Sequence, residues 1–428
     1  MHVVIFEDSN YNNFYPLTLT RPVWDLRSGC GTLRERWSNF LVRRFGDSIL
    51  NSLYYSTRDY LAPLYREKYP GLCINDYGFT AAREPVLFIN STLLPHSDCF
   101  NINLNECIAR NNTVLAALIE PGRMPLTPED IQRAFQAMPL TPVESRDISV
   151  FNYLWDIVSC NAEMITRDYG EINLTSNERS RHENSVTIIG DPNLVYIGRD
   201  ARIDPYVCID CTGGPVVIGE RTVVHSFTRI EGPCATGSDC ILLGARIREG
   251  CSFGNNCRIG GEVEESIFQG YANKYHDGFI GHAFVGEWVN FGAMTTNSDL
   301  KNNYAPVKVT LPGGRVSSEK IKVGCFVGDY TRTSIGTLIN TGSAFGSGCM
   351  IVHGGSMAPR HMPSFSWYIN NQLTEGEPLQ STLATCREMA RRRGVVFSDN
   401  YSGLVAHVYS ISEENRKSEV IRWRELRK

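Results

Sequence analysis

A chain of 428 residues is longer than one core ordinarily fills, so two or three domains are expected. With 42% hydrophobic and 21% charged residues and a net charge of −4, it reads as a globular protein with no general attraction to nucleic acid or anionic membrane. No apolar run approaches the roughly 18 residues of a membrane span, and acidic residues directly follow the first short apolar run, which argues against a signal peptide and for a cytoplasmic location.

In chain order, Val3 to Phe6 reads as a buried strand ending in Glu7 and Asp8. Thr32 to Phe45 places Leu33, Trp37, Phe40, Leu41 and Phe45 at helical spacing. A second apolar run, Val86 to Ile89, leads into Asn90 and Ser91. Thr127 to Met138 carries helix-start signals: a capping Thr, a Pro at the first position and acids in the first turn. Strands alternating with helices predict an α/β domain over residues 1–172. The polar stretch Asn173 to Ser185 reads as a linker.

Aliphatic residues then recur every six positions. Ile197, Ile203 and Ile209 start the series, and Ile218, Val224 and Ile230 continue it. Ile241, Ile247, Phe253 and Ile259 follow, then Phe279, Val285 and Phe291, then Val323, Ile335 and Thr341. Gly often comes next, as in Ile218-Gly219 and Val285-Gly286. This period predicts a parallel β-helix of hexapeptide repeats over 186–367, with Pro363 to Trp367 as its close. A sandwich would show a period of two. Cys234 and Cys240, and Cys251 and Cys257, are six apart and are expected to stack as small buried side chains; the lone Cys208-x-x-Cys211 lacks the second pair of a zinc site. The tail, 368–428, is basic and helical in pattern. Its run Arg391 to Arg393 could bind a phosphate, but such a run is more often a solvated helix face.

The blocks FEDSNYNNFYPLTLTRPVWDLRSGCGTLRERW, NSDLKNNY at 297–304 and GDYTRTSIGTLINTGSAFG from 328 onward carry a resemblance. On them the chain resembles the alternative bacterial family of bifunctional N-acetylglucosamine-1-phosphate uridyltransferase/glucosamine-1-phosphate acetyltransferases. The resemblance implies a nucleotidyltransferase-like α/β domain, a left-handed β-helix and a homotrimer. It also implies acetyl-CoA as co-substrate and a sugar phosphate as acceptor. His276, in an apparent break of the repeat from Gln269 to Gly278, matches the family's catalytic histidine, and Asn290 its sugar-binding asparagine. An imidazole titrates near working pH, as a general base requires. Lys301, Asn302, Asn303 and Tyr304 form a polar loop suited to a sugar phosphate. Two positions depart from the family: its phosphate-contacting lysine is Glu264 here, and its tyrosine is Phe279.

The N-terminal half departs further. The expected glycine-rich triphosphate loop is Glu7 to Tyr15, which has no glycine, and the expected Mg²⁺-binding Asp is replaced by Asn90-Ser91. Arg21, Asp25, Arg27 and Arg34 could form a substitute nucleotide site around Gly29-Cys30-Gly31; the alternative is that they form structural ion pairs. No metal site is expected, and Mg²⁺ only if the nucleotidyltransferase half is active. Three readings follow: an acetyl-CoA-dependent acyltransferase, a catalytically inactive sugar-nucleotide-binding scaffold, and a zinc hydratase, whose ligand spacing the pairs His276/His282 and His353/His361 do not match.

Overall fold

The computed structural model describes residues 2–76, 78, 84–120, 131–144, 148–171, 185–352 and 354–426. The expected linker lies outside them except for Ser185, as do Thr127 to Asp130 and His353. Seven strands build the N-terminal sheet: β1 (His2–Phe6), β2 (Leu53–Tyr55), β3 (Cys73–Ile74), β4 (Val86–Asn90), β5 (Glu106–Arg110), β6 (Thr113–Ile119) and β7 (Thr141–Val143). Their order is β3-β2-β1-β4-β6-β5-β7, parallel as far as β4 and then antiparallel through β6 and β5. Helix α1 (Leu33–Phe45) begins with a capping box between Thr32 and Glu35 and buries Leu33, Trp37 and Leu41. Phe45, expected inside, is 40% exposed because the helix ends there. Helices α2 (Ala62–Lys68), α3 (Ile131–Ala137) and α4 (Leu154–Glu171) complete the layer.

From Thr187 onward the chain winds into parallel coils, and each coil pairs residue for residue with the next. The first flat side is a nine-stranded parallel sheet, from Val195–Ile197 to His361–Met362. The last coil strand, Trp367–Ile369, is closed by antiparallel pairing with Gln372–Thr374, a few residues beyond the expected end. Gly219 sits at a corner where an added Cβ would overlap the carbonyl of Gly237 in the next coil, which is why glycine follows the inward residue there.

The phase of the repeat needs correction in three places. Leu242, not Ile241, and Ile280, not Phe279, point inward, both fully buried. Ile335 is 74% exposed at a corner, and the interior positions there are Thr333 and Ile339. The cause is an insertion, residues 298–322, whose hairpin Lys308–Leu311/Gly314–Ser317 resets the count before the coil resumes at Cys325–Val327. Nor is the repeat broken at Gln269 to Gly278: Asn273–Lys274 pairs with Arg258–Ile259 in register. Cysteines do stack, but between coils rather than six apart, Cys234 being the register partner of Cys251; all fourteen are free.

The two halves share cores. Side chains that point outward from the nine-stranded side, among them Val217, Ala235, Ile267, Phe284 and Phe326, are buried under residues 11–33 and α4. Asn161 of α4 donates to the Gly250 carbonyl (2.9 Å) and accepts from Gly29 N (2.8 Å). At a second corner Tyr271, Trp288, Tyr330 and Phe365 all take left-handed backbone angles. Tyr271 stacks on Trp288 at 4.4 Å, and Trp288 lies parallel to Tyr330 at 6.3 Å. The C-terminal helices α5 (Leu379–Arg391) and α6 (Asp399–Ile411) pack on this aromatic corner and on the N-terminal domain together. Helix α7 (Glu413–Glu425) follows and caps the last coils.

Candidate functional site

His276 stands on an exposed corner between two coil sides, its ring edge-on to Tyr275 at 5.7 Å. Lys274, two residues earlier, holds that corner. Its register position is the inward one filled by Ile259 in the preceding coil, and it is only 2% exposed. Its Nζ donates to the carbonyls of Gly260 (2.8 Å) and His276 (2.6 Å). Burial brings the lysine pKa down to about 8. An unfolded lysine keeps its proton to about pH 10.4. Between those values the unfolded state therefore binds more protons, and stability should rise with pH across that window. We expect Lys274→Met to remove a penalty of up to about 3 kcal/mol at neutral pH and to flatten that rise. Denaturant titrations at pH 7 and pH 10 check this; a variant less stable than the parent at both would refute it.

Beyond the corner lies a charged cluster. His282, at the end of Phe279–Gly281, faces Asp299 through Nδ1 (2.8 Å) and Glu265 through Nε2 (3.1 Å). Burial alone would depress its pKa, but the two carboxylates raise it to about 9. Its contribution is thus complete below about pH 6.5, the unfolded value, and is lost as pH rises through 9. His282→Gln should lose stability at pH 6 and differ little from the parent at pH 10, measured by denaturant unfolding. Glu264, the residue that departs from the family pattern, pairs with Lys322 at 3.2 Å, which raises the lysine pKa against the effect of burial. An acidic residue at this point is thus neutralised by a lysine from the end of the insertion.

The structure distributes the expected site residues over two coil sides. Lys301, Asn302, Asn303 and Tyr304 form the exposed turn that opens the insertion, with Lys301 donating to the Pro306 carbonyl and Asn303 accepting from Ala305 N (3.2 Å). Leu300 bridges to Lys322, so this turn joins the His282 cluster. Asn290 does not. It lies on the neighbouring side, accepts from Asn273 Nδ2 (3.0 Å) and lines a cavity under α5. Lys274 and Lys322 escaped the sequence reading: one sits where the repeat demands an aliphatic residue, the other follows an insertion of unpredictable path.

The four residues offered as a nucleotide site all have partners within the protein. Arg21 is 1% exposed and grips Asp329 of the β-helix with its guanidinium, with Glu287 3.8 Å away. Asp25 is 2% exposed and accepts from Tyr65 and Tyr69, both at 3.0 Å. Arg27 donates to the Cys30 carbonyl (2.9 Å), and its backbone N–H to Gln269 (3.1 Å). Arg34 pairs with Glu35 (2.9 Å) and lies over Tyr69 (4.3 Å). Arg21, Asp25 and Arg34 thus have charged partners, as the ion-pair alternative expects, whereas the Arg27 guanidinium meets a backbone carbonyl. Glu7 is used up by Thr57 (2.5 Å), Arg58 Nε (2.9 Å) and Val23 N (3.1 Å). Asn90, at the end of β4, is fully buried and donates to Asp8 (2.8 Å). Phe14, Tyr15 and Leu17, which follow β1, are buried in the core shared with α4 and the β-helix. These donors do not fit Mg²⁺, which favours free carboxylates and several waters.

Residues 3–177 match the family model described as Sugar nucleotidyl transferase. The chain is similar to the bifunctional sugar-1-phosphate nucleotidylyltransferase/acetyltransferase of Sulfurisphaera tokodaii, 36% identical over 93 residues, which are 22% of this chain and 23% of that protein. It is similar to the bifunctional protein GlmU of Jannaschia sp., 37% identical over 103 residues (23% and 22%), and to that of Xylella fastidiosa, 28% over 193 residues (44% and 36%). The chain thus spans about a quarter to a third of the length of these relatives. Among solved structures it is similar to an Arabidopsis UDP-N-acetylglucosamine acyltransferase, with 15% identity, 50% of this chain and 77% of that one covered, and a TM-score of 0.26. The chain thus joins a segment over 3–177 that matches a sugar nucleotidyl transferase model to a parallel β-helix, and parts of it are similar to GlmU proteins.

Proposed function

We propose that the protein transfers an acetyl group from acetyl-CoA to the amine of an amino-sugar phosphate, such as glucosamine-1-phosphate, with His276 as general base. The observation that carries this reading is the position of His276: a solvent-open imidazole on a pinned corner, in line with exposed apolar side chains of other coils. Tyr206 (67% exposed), Phe227 (77%), Met294 (57%) and Ile335 (74%) run along that corner, which Phe227 N–Tyr206 O (3.2 Å) and Met294 N–Asp277 O (2.7 Å) hydrogen bonds tie together. A file of this kind marks an interaction surface. Pairing it with a second copy in a homotrimer would enclose His276 and exclude water. The amine nitrogen then attacks the thioester carbonyl, the C–S bond breaks, and the amine proton passes through His276 to the departing thiolate. Lys322 and the turn Lys301–Tyr304 are the groups we assign to the sugar phosphate.

Thiol release from acetyl-CoA with a panel of amino-sugar phosphates tests this reading, alongside sedimentation for the trimer. Turnover with one acceptor is expected. An assembled trimer that binds acetyl-CoA yet turns over no acceptor would instead support the scaffold reading. For the N-terminal half we propose a covering role without nucleotidyl transfer, supported by the burial of Phe14, Tyr15 and Leu17 in a core shared with the β-helix and by the Asn90–Asp8 hydrogen bond. No pyrophosphate should be released from UTP, Mg²⁺ and N-acetylglucosamine-1-phosphate; release at an enzymatic rate would overturn that role.

A further inference from the structure

Four arginines converge on one cavity of about 340 Å³ between the β-helix and the end of α5. Arg258 and Arg332 rise from the coil side that carries Asn273 and Asn290, and Arg392 and Arg393 follow the last turn of α5. No acidic side chain lines the cavity. The Nε atoms of Arg258 and Arg332 are buried and have no hydrogen-bond acceptor. Arg393 donates to the Asn256 carbonyl (3.1 Å) and to Asn273 Oδ1, so the loop after α5 is fixed over the cavity. Burial, and then the charge of Arg258, lowers the pKa of Arg393.

Like charges gathered in a half-desolvated space repel unless an anion joins them. The C-terminal dipole of α5 amounts to about half an elementary charge, too little to offset four guanidiniums. Guanidiniums match phosphate oxygens in pairs, and the two asparagine amides add polar contacts. The partly exposed ring of Tyr271, backed by Trp288, supplies a flat wall.

We propose that this cavity binds a diphosphate or longer polyphosphate group, at a site distinct from the His276 corner. Its source is either a nucleoside diphosphate, with the base on Tyr271, or free pyrophosphate. The site does not depend on acyl transfer at His276. Calorimetry on the full chain, with inorganic pyrophosphate and with UDP as probes, tests it. Both should bind, more weakly as salt is raised, and Arg258→Gln and Arg332→Gln should each weaken pyrophosphate tenfold or more. Arg391→Gln, whose arginine is exposed and paired with Glu388 (2.7 Å), should change nothing, and neither should His276→Ala. Failure of the parent chain to bind either probe, or equal binding by the two cavity variants, would overturn the proposal. UDP binding tighter than pyrophosphate, with the excess lost in Tyr271→Leu, would make the source the nucleotide; equal binding would make it the phosphate group alone.

Discussion

His276→Ala should lower kcat for acetyl transfer by about 10²-fold or more while leaving the melting temperature unchanged. The rate estimate is the usual cost of removing a general base from a proton transfer in the rate-limiting barrier. Stability should not follow, because the imidazole is exposed and the corner is held from beneath by the Lys274 ammonium on the His276 carbonyl, a contact the alanine retains. His276→Asn, which keeps a polar side chain but cannot accept a proton, should be as inactive as the alanine. A steady-state assay with saturating acetyl-CoA, alongside thermal unfolding, separates the two effects. If both variants retain more than a third of the parent kcat, His276 is not the base and the acyltransferase reading loses its central residue. Lys274→Met is the instructive companion: the same corner would be released from below, so kcat should fall while stability gains.

How much of this was legible in the residues varies with the physical cause. The six-residue period named the β-helix because an inward side chain is demanded at fixed intervals, and Ile218, Val224 and Ile230 obey that demand with under 2% exposure. The phase slipped where neighbours were equally apolar, as at Ile241-Leu242 and Phe279-Ile280, since composition cannot say which of two adjacent apolar residues turns inward. The insertion hid the rest, because a hairpin of arbitrary length decouples the count on its two sides. Runs such as Val216-Val217-Ile218 and Cys325-Phe326-Val327 did carry a further signal: strands apolar at every position are buried on both faces, and these are the ones under the N-terminal domain. The site was less legible. His276 rested on a matched motif, whereas Lys274 and the cavity arginines depend on which coil side each residue faces.

Replacing Arg21 should be the most destabilising change in the chain. Its guanidinium is gripped by Asp329, which also accepts from Thr20 Oγ1 (2.8 Å) and Glu287 N (2.9 Å), and Lys68 stands 3.7 Å from Glu287. Burial works against the arginine charge, yet Asp329 and Glu287 hold it protonated more firmly than an ordinary guanidinium. Arg21→Met leaves Asp329 and Glu287 facing one another in a dry interface with only Lys68 to offset them. Stranding a buried charge in this way costs about 3–5 kcal/mol. The loss falls on the junction between halves, since Arg21 belongs to the first and Asp329 to the second. Unfolding should therefore split into two transitions, the N-terminal domain melting first, rather than shift as one. Arg21→Met with Asp329→Leu removes both charges and should recover much of the loss, because the geometry rather than the net attraction is what the pair supplies. Calorimetric scans of the three proteins decide it: a single unsplit transition within 1 °C of the parent in Arg21→Met would show that the halves are joined by apolar packing alone. The pair also ties together the two blocks, around Thr20-Arg21-Pro22 and Gly328-Asp329-Tyr330, on which the family resemblance rests. In the structure those segments hold the N-terminal domain against the β-helix that carries His276.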